Sequence, residues 1–143
     1  MFIGEYNHSV DTKGRMNVPA KFRDDLGERF YMTKGLDNCL FMFPEAEWRV
    51  FEEKLKTLPL TNRNARAFVR LFFAGATECT LDKQGRVNIP QTLRDHGQIT
   101  KEVIVIGVGT RVELWSESNW TEYNDPDNIS YDDIAEQMAE LGI

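Results

Sequence analysis

Two stretches of this chain carry the same wording, "FIGEYNHSVDTKGRMNVPAKFR" (Phe2 to Arg23) and "FAGATECTLDKQGRVNIPQTLR" (Phe73 to Arg94). At a constant offset of 71 residues, Phe2, Gly4, Asp11, Gly14, Arg15, Asn17, Pro19 and Arg23 recur as Phe73, Gly75, Asp82, Gly85, Arg86, Asn88, Pro90 and Arg94. The register then slips by one residue, and "GLDNCLFMFPEAEW" (Gly35 to Trp48) lies over "GVGTRVELWSESNW" (Gly107 to Trp120). Two copies make an internal duplication rather than a solenoid array. This duplication constrains the fold more than any other feature. A half of about 70 residues has little core of its own and leaves strand edges unpaired. Two such halves packed about a pseudo-twofold axis share one core.

Each copy reads as a ββαββ unit, which makes the fold class α+β. A strand (Glu5 to Val10; Glu78 to Leu81) enters a tight turn, and a second strand follows (Arg15 to Val18; Arg86 to Ile89). Pro19 and Pro90 end that strand and open a short helix. Phe22 and Leu26 give the first of these helices an apolar stripe, and Leu93 serves the second. Next come a strand (Phe30 to Thr33; Val103 to Ile106), a Gly-rich turn and a last strand (Cys39 to Phe43; Arg111 to Trp115). After the first unit, Pro44-Glu45 opens a helix with Trp48, Phe51 and Leu55 on one face. Thr61 caps a second helix through about Phe72. After the second unit, Ser130-x-x-Asp133 forms a capping-box pattern before Ile134, Met138 and Leu141. The expected organisation is a first half over 1–60 and a connecting helix over 61–74. A second half over 75–121 and an acidic C-terminal segment over 122–143 complete one compact domain.

A shared core explains the apolar half of the repeated phrase and leaves the polar half to be explained. Asp at a turn start accepts backbone N–H groups, and Gly at its end takes positive φ. Alternation along the second strand sends Met16 and Val18 one way and Arg15 and Asn17 the other. Val87 and Ile89 separate from Arg86 and Asn88 in the same way. Arg can donate two parallel hydrogen bonds to guanine O6 and N7, and Asn can bond adenine N6 and N7. Asp11 and Asp82, four residues before their arginines, are placed to hold each guanidinium. Lys13 and Lys83 sit at the tips, where phosphates would be met. The plainer alternative is an exposed Asp–Arg ion pair at each turn, worth about 0–1 kcal/mol.

"MFIGEY", "DTKGRMNVPAKFR" and "GATECTLDKQGRVNIP" closely resemble the MraZ family of bacterial transcriptional regulators, and the resemblance covers essentially the whole chain. It implies two AbrB-like swapped-hairpin halves forming a double-split β-barrel. It also implies assembly into a ring, usually an octamer, and binding to short direct repeats in promoter DNA at the head of the division and cell-wall gene cluster. The family's D-x-x-x-R motif falls on Asp11/Arg15 and Asp82/Arg86, with Arg as DNA contact and Asp as its partner. Gln84 stands where the first copy has Lys13, so the two turns differ as readers. Asn17 and Asn88 belong to the residue-level argument alone. In a ring, Phe2, Phe72, Phe73 and Trp115 are candidates for either the subunit interface or the core.

Net charge is −6, yet the charge is unevenly placed. Residues 1–111 hold all 17 Lys and Arg against 14 acids, and residues 112–143 hold nine acids and no base. A mildly basic body and an acidic tail are compatible with nucleic acid, since binding depends on local patches. Arg63, Arg66 and Arg70 form one helical stripe that suits a solvated face, a contact with a neighbour's acidic tail, or DNA backbone. A rival function is a protein-binding module in which the acidic tail grips a partner. His8 and His96 have no nucleophile or metal-ligand spacing beside them, Gly107-Val108-Gly109 opens no helix, and no catalytic, metal or cofactor site is expected. Cys39 and Cys79 read as buried thiols. With no apolar run of about 18 residues and no basic start before an apolar stretch, the expected location is the cytoplasm, on the nucleoid.

Overall fold

The computed structural model describes residues 1–143. The first copy gives β1 (Phe2–Ser9), β2 (Arg15–Asn17), α1 (Ala20–Leu26), β3 (Phe30–Lys34), β4 (Leu40–Pro44), α2 (Glu45–Lys56) and α3 (Arg63–Gly75). The second gives β5 (Thr77–Cys79), β6 (Arg86–Asn88), α4 (Gln91–His96), β7 (Glu102–Gly109), β8 (Val112–Ser116), α5 (Glu117–Tyr123) and α6 (Tyr131–Ala139). The first five elements of each copy follow the ββαββ order that the sequence predicts.

The halves interlock by exchanging strands. Six strands form an antiparallel sheet in the order β1-β7-β8-β4-β3-β5, and β2 and β6 pair as a separate ribbon. The first strand of each copy lies on the third strand of the other: Phe2 faces Gly109 and Ser9 faces Glu102, while Phe30 faces Cys79. β4 joins β8, so last strand meets last strand at the sheet's centre. Val10 lies outside β1 and touches Met16 through an isolated bridge. β1 and β2 are therefore joined across their turn by one bridge and not by a ladder. Each β2-type strand instead finds its ladder partner in the other half.

The sheet is covered on both sides, which is why β4 reads as an unbroken apolar run. On one side Phe22, Leu26, Phe30, Met32, Leu40, Val87, Leu93 and Val103 share a core drawn from both copies. On the other, Phe41, Phe43, Ile104 and Trp115 lie under the helices with Trp48, Leu55 and Phe72. α2 and α3 pack over the β3–β4 end and α5 over the β7–β8 end.

Several sequence expectations shift. α3 is capped by Asn62 and not Thr61: the Asn62 side chain accepts the Ala65 N–H at 2.9 Å, and Asn is the stronger N-cap. Pro19 and Pro90 occupy the N-cap position, one residue before their helices. α5 escaped notice because its seven residues show no long periodic stripe; Ser116 caps it by accepting the Asn119 N–H at 3.1 Å. Phe2, Phe72 and Trp115 are core residues, and of the four interface candidates only Phe73 keeps substantial exposure, at 37%.

Candidate nucleic-acid interface

The turn before β2 is built by Asp11. Its backbone carbonyl accepts the Gly14 N–H at 3.0 Å, and its own N–H donates to the Arg15 carbonyl at 2.9 Å. Its Oδ1 accepts the backbone N–H groups of Lys13 and Arg15, both at 2.9 Å, and its Oδ2 accepts Arg15 Nε at 2.7 Å. Gly14 has φ +83°, a conformation that disfavours a side chain. The second turn repeats this. Asp82 Oδ1 accepts from Gln84 and Arg86 at 2.9 Å, Oδ2 accepts Arg86 Nε at 2.8 Å, and Gly85 has φ +76°. These bonds hold both carboxyls below the ordinary aspartate range, the backbone N–H of the following Arg being the largest cause.

The anchoring has a chemical consequence. Each guanidinium is tied through Nε, and its two terminal nitrogens have no partner in the protein. The edge that can donate two parallel hydrogen bonds is thus the free one.

β2 and β6 then bring the two motifs together. Arg15 lies opposite Asn88, and Asn17 lies opposite Arg86, across the antiparallel ribbon. The four side chains form one patch with the arginines on one diagonal and the asparagines on the other. Beneath it, Met16 and Val87 are buried. Sequence alternation predicts the faces correctly. It cannot predict that the two phrases merge into a single patch, because the strand pairing is between copies. Lys13 and Lys83 sit at the turns beside this patch, on exposed residues.

The structure also separates the two asparagines. Asn88 Nδ2 donates to the Lys13 carbonyl at 3.3 Å, across 75 residues of sequence, and so helps hold the opposite turn. Asn17 makes no such bond.

Two further arginines belong to the site, and the sequence reading left them without a role. Arg23 Nε donates to the Val18 carbonyl, and Arg94 Nε to the Ile89 carbonyl, each at 2.9 Å. Each guanidinium lies against the glycine of the opposite turn, Arg23 on Gly85 and Arg94 on Gly14. Backbone bonds close the same crossing: Val18 N–H to Gly85 O at 3.0 Å and Ile89 N–H to Gly14 O at 2.7 Å. The signal was available, since Arg23 and Arg94 match at the same offset as the turns themselves. His8 lies on β1, where burial, then the Arg23 charge, lowers its pKa.

Nothing at this site or elsewhere is arranged as a metal cluster of His, Cys, Asp or Glu. No helix is long and apolar enough to cross a membrane. Burial pushes the Cys39 thiol up strongly and the Cys79 thiol to about 12.

Comparison with known proteins matches this architecture. A family model described as "MraZ protein, putative antitoxin-like" fits the chain twice, over residues 1–71 and 72–141. The chain is 66% identical to the transcriptional regulator MraZ of Alkaliphilus metalliredigens over 143 residues, covering all of both chains. It is 65% identical to that of Alkaliphilus oremlandii and 62% identical to that of Clostridium tetani, again over the full length of each.

Proposed function

Since the chain belongs to the MraZ family of transcriptional regulators, we propose that it is a sequence-specific DNA-binding regulator that reads base edges through Arg15 and Arg86. The observation that carries this reading is the crossed Arg–Asn patch, in which both guanidinium groups are pinned at Nε with their outer edges free. Asp11 and Asp82 position the arginines. Lys13 and Lys83 meet phosphates, Asn17 is free to meet a base, and Asn88 divides its hydrogen-bonding capacity between the Lys13 carbonyl and a base. A two-stranded ribbon with one exposed polar face suits the major groove, which admits such a ribbon and presents a distinct pattern for every base pair.

On this reading the six-stranded sheet and the β2–β6 ribbon together are a double-split β-barrel that displays the ribbon at one end. The targets are direct repeats upstream of the division and cell-wall gene cluster, including the protein's own gene, and the protein works in the cytoplasm on the nucleoid. One ribbon alone buries too little surface, since even single DNA-binding modules bury about 600–1,000 Å². A homo-oligomeric ring, of the octameric kind, would set several ribbons along successive repeats and gain affinity from effective concentration.

Fluorescence anisotropy with DNA from upstream of the gene, over a salt series, tests this. Wild type should bind that DNA selectively and weaken with salt, at a slope of about 0.9 per phosphate contact. Arg15→Ala/Arg86→Ala should lose selective binding by about 30-fold or more, two bidentate contacts being worth about 1–3 kcal/mol each. Equal binding by wild type and the double variant would remove the arginines from the interface.

A further inference from the structure

In chain order α5 follows the second ββαββ unit as α2 follows the first, and α6 comes next as α3 does. α3 buries Phe72 against Phe41, Phe51 and Phe68. α6 buries nothing. Its Tyr131, Ile134 and Met138 recur at helical spacing and Leu141 follows just beyond its end, yet Tyr131 is 60% and Leu141 75% exposed. The side-chain tie to the rest of the chain is Tyr131 Oη donating to Asn124 Oδ1 at 2.7 Å. Nine residues are too few for a helix to be stable alone in water, and an amphipathic stripe gains its stability from a surface that covers it.

A matching surface lies between α2 and α3. There Leu55, Leu58, Leu60, Val69 and Phe73 line an open cavity of about 300 Å³. Leu60 is 82% exposed there. Along one edge run Arg63, Arg66 and Arg70, none of which forms an ion pair. Arg66 donates to the Leu60 carbonyl at 3.0 Å, which holds the edge in place. Arg63 and Arg70 are exposed, as the sequence alternative of a solvated face has it, but no salt bridge within the helix neutralises the stripe. The groove is apolar with a basic edge; α6 is apolar with Asp132 and Asp133 on its edges and no base after Arg111.

We propose that α6 of one copy seats in the α2–α3 groove of a second copy, with Ile134 and Met138 entering beside Val69 and Phe73. The acidic edge of α6 then faces Arg63 and Arg70. This is helix-in-groove recognition with complementary charge. Because groove and tail are different surfaces of the chain, each contact leaves one groove and one tail free, and such a head-to-tail contact propagates until it closes as a ring. The inference deepens the assembly part of the proposed function and does not depend on the DNA part.

Cross-linking the full chain tests it. Val69→Cys/Met138→Cys, mildly oxidised, should give a ladder of disulfide-linked dimers, trimers and higher species on a non-reducing gel. Each single variant should stay at the mass of one chain, because Cys39 and Cys79 are buried with raised pKa values and stay inert. A link within one chain, or no link, overturns the proposal. In parallel, Arg63→Glu/Arg70→Glu should lower the mass by light scattering at least twofold. If the mass holds and DNA affinity falls tenfold instead, those arginines are phosphate contacts and the proposal is wrong. Arg15→Ala/Arg86→Ala should keep both mass and ladder, so a failure of DNA reading is distinguishable from a failure of this interface.

Discussion

The two copies agree to within 0.1 Å in the hydrogen bonds of their turns and differ in their first strands and covering helices. Asp11 and Asp82 accept the same three hydrogen bonds at 2.7–2.9 Å. Around them, β1 pairs along eight residues with β7, whereas β5 pairs along three with β3. α2 and α3 run for 12 and 13 residues, and α5 and α6 for seven and nine. A turn fixed by one carboxylate and one glycine is set by local chemistry, so it survives divergence of its surroundings. Helices that cover a sheet are set by packing and drift as their neighbours change.

The largest test of this contrast lies at Trp48 and Trp120, which occupy equivalent positions in the two copies. Trp48 is buried among the rings of Tyr31, Phe43, Phe51 and Phe73. Trp120 is half-buried against Trp115 and Tyr123. Trp48→Ala should destabilise by about 3–5 kcal/mol in chemical denaturation, and Trp120→Ala by clearly less. Equal losses would mean that the second copy's helix is as integral to the core as the first.

The turns themselves provide a smaller test. Gly14→Ala and Gly85→Ala each place a side chain at positive φ, which costs about 1–2 kcal/mol. At Gly85 the added methyl also runs into the Arg23 guanidinium, while at Gly14 the nearest Arg94 atom lies 3.0 Å away. Gly85→Ala should therefore be the more destabilising of the two. Arg23→Ala should relieve part of that loss in a double-mutant cycle. Additive losses would show that Arg23 moves aside freely and does not pin the opposite turn.

The turns, the alternation of β2 and β6 and the ββαββ order were legible in the sequence, because each follows from a few neighbouring residues. Asp11 and Gly14 specify their turn wherever the rest of the chain goes. Which residues face one another between the copies was not legible. Nothing near Arg15 indicates that Asn88 will lie opposite it, in a ribbon made by both copies. Arg23 and Arg94 were visible as repeated letters, but their contacts lie across the pseudo-twofold axis, where local reasoning has no reach. α5 was missed because its stability comes from Trp120 packing on Trp115 rather than from its own pattern.

Asn17 and Asn88 should separate next. Asn88→Ala loses the bond to the Lys13 carbonyl and should cost about 0.5–1.5 kcal/mol, whereas Asn17→Ala should leave folding unchanged. The smallest difference is expected between Asp11 and Asp82. Both titrate below the ordinary aspartate value of 3.8, chiefly because the backbone N–H of Arg15 or Arg86 bonds the ionised form. A depressed carboxyl pKa stabilises the fold above the unfolded value, and that stabilisation is lost as pH falls below 3.8 through the folded value. Carboxyl carbon NMR should therefore place both midpoints below 3.8, close to one another. Between pH 6 and 8 neither group changes charge, so the hold on Arg15 and Arg86 stays constant across the range where DNA binding is assayed. Midpoints separated by more than about one unit would mean that the turns differ in solution despite their matched distances, the higher midpoint marking the less firmly held arginine.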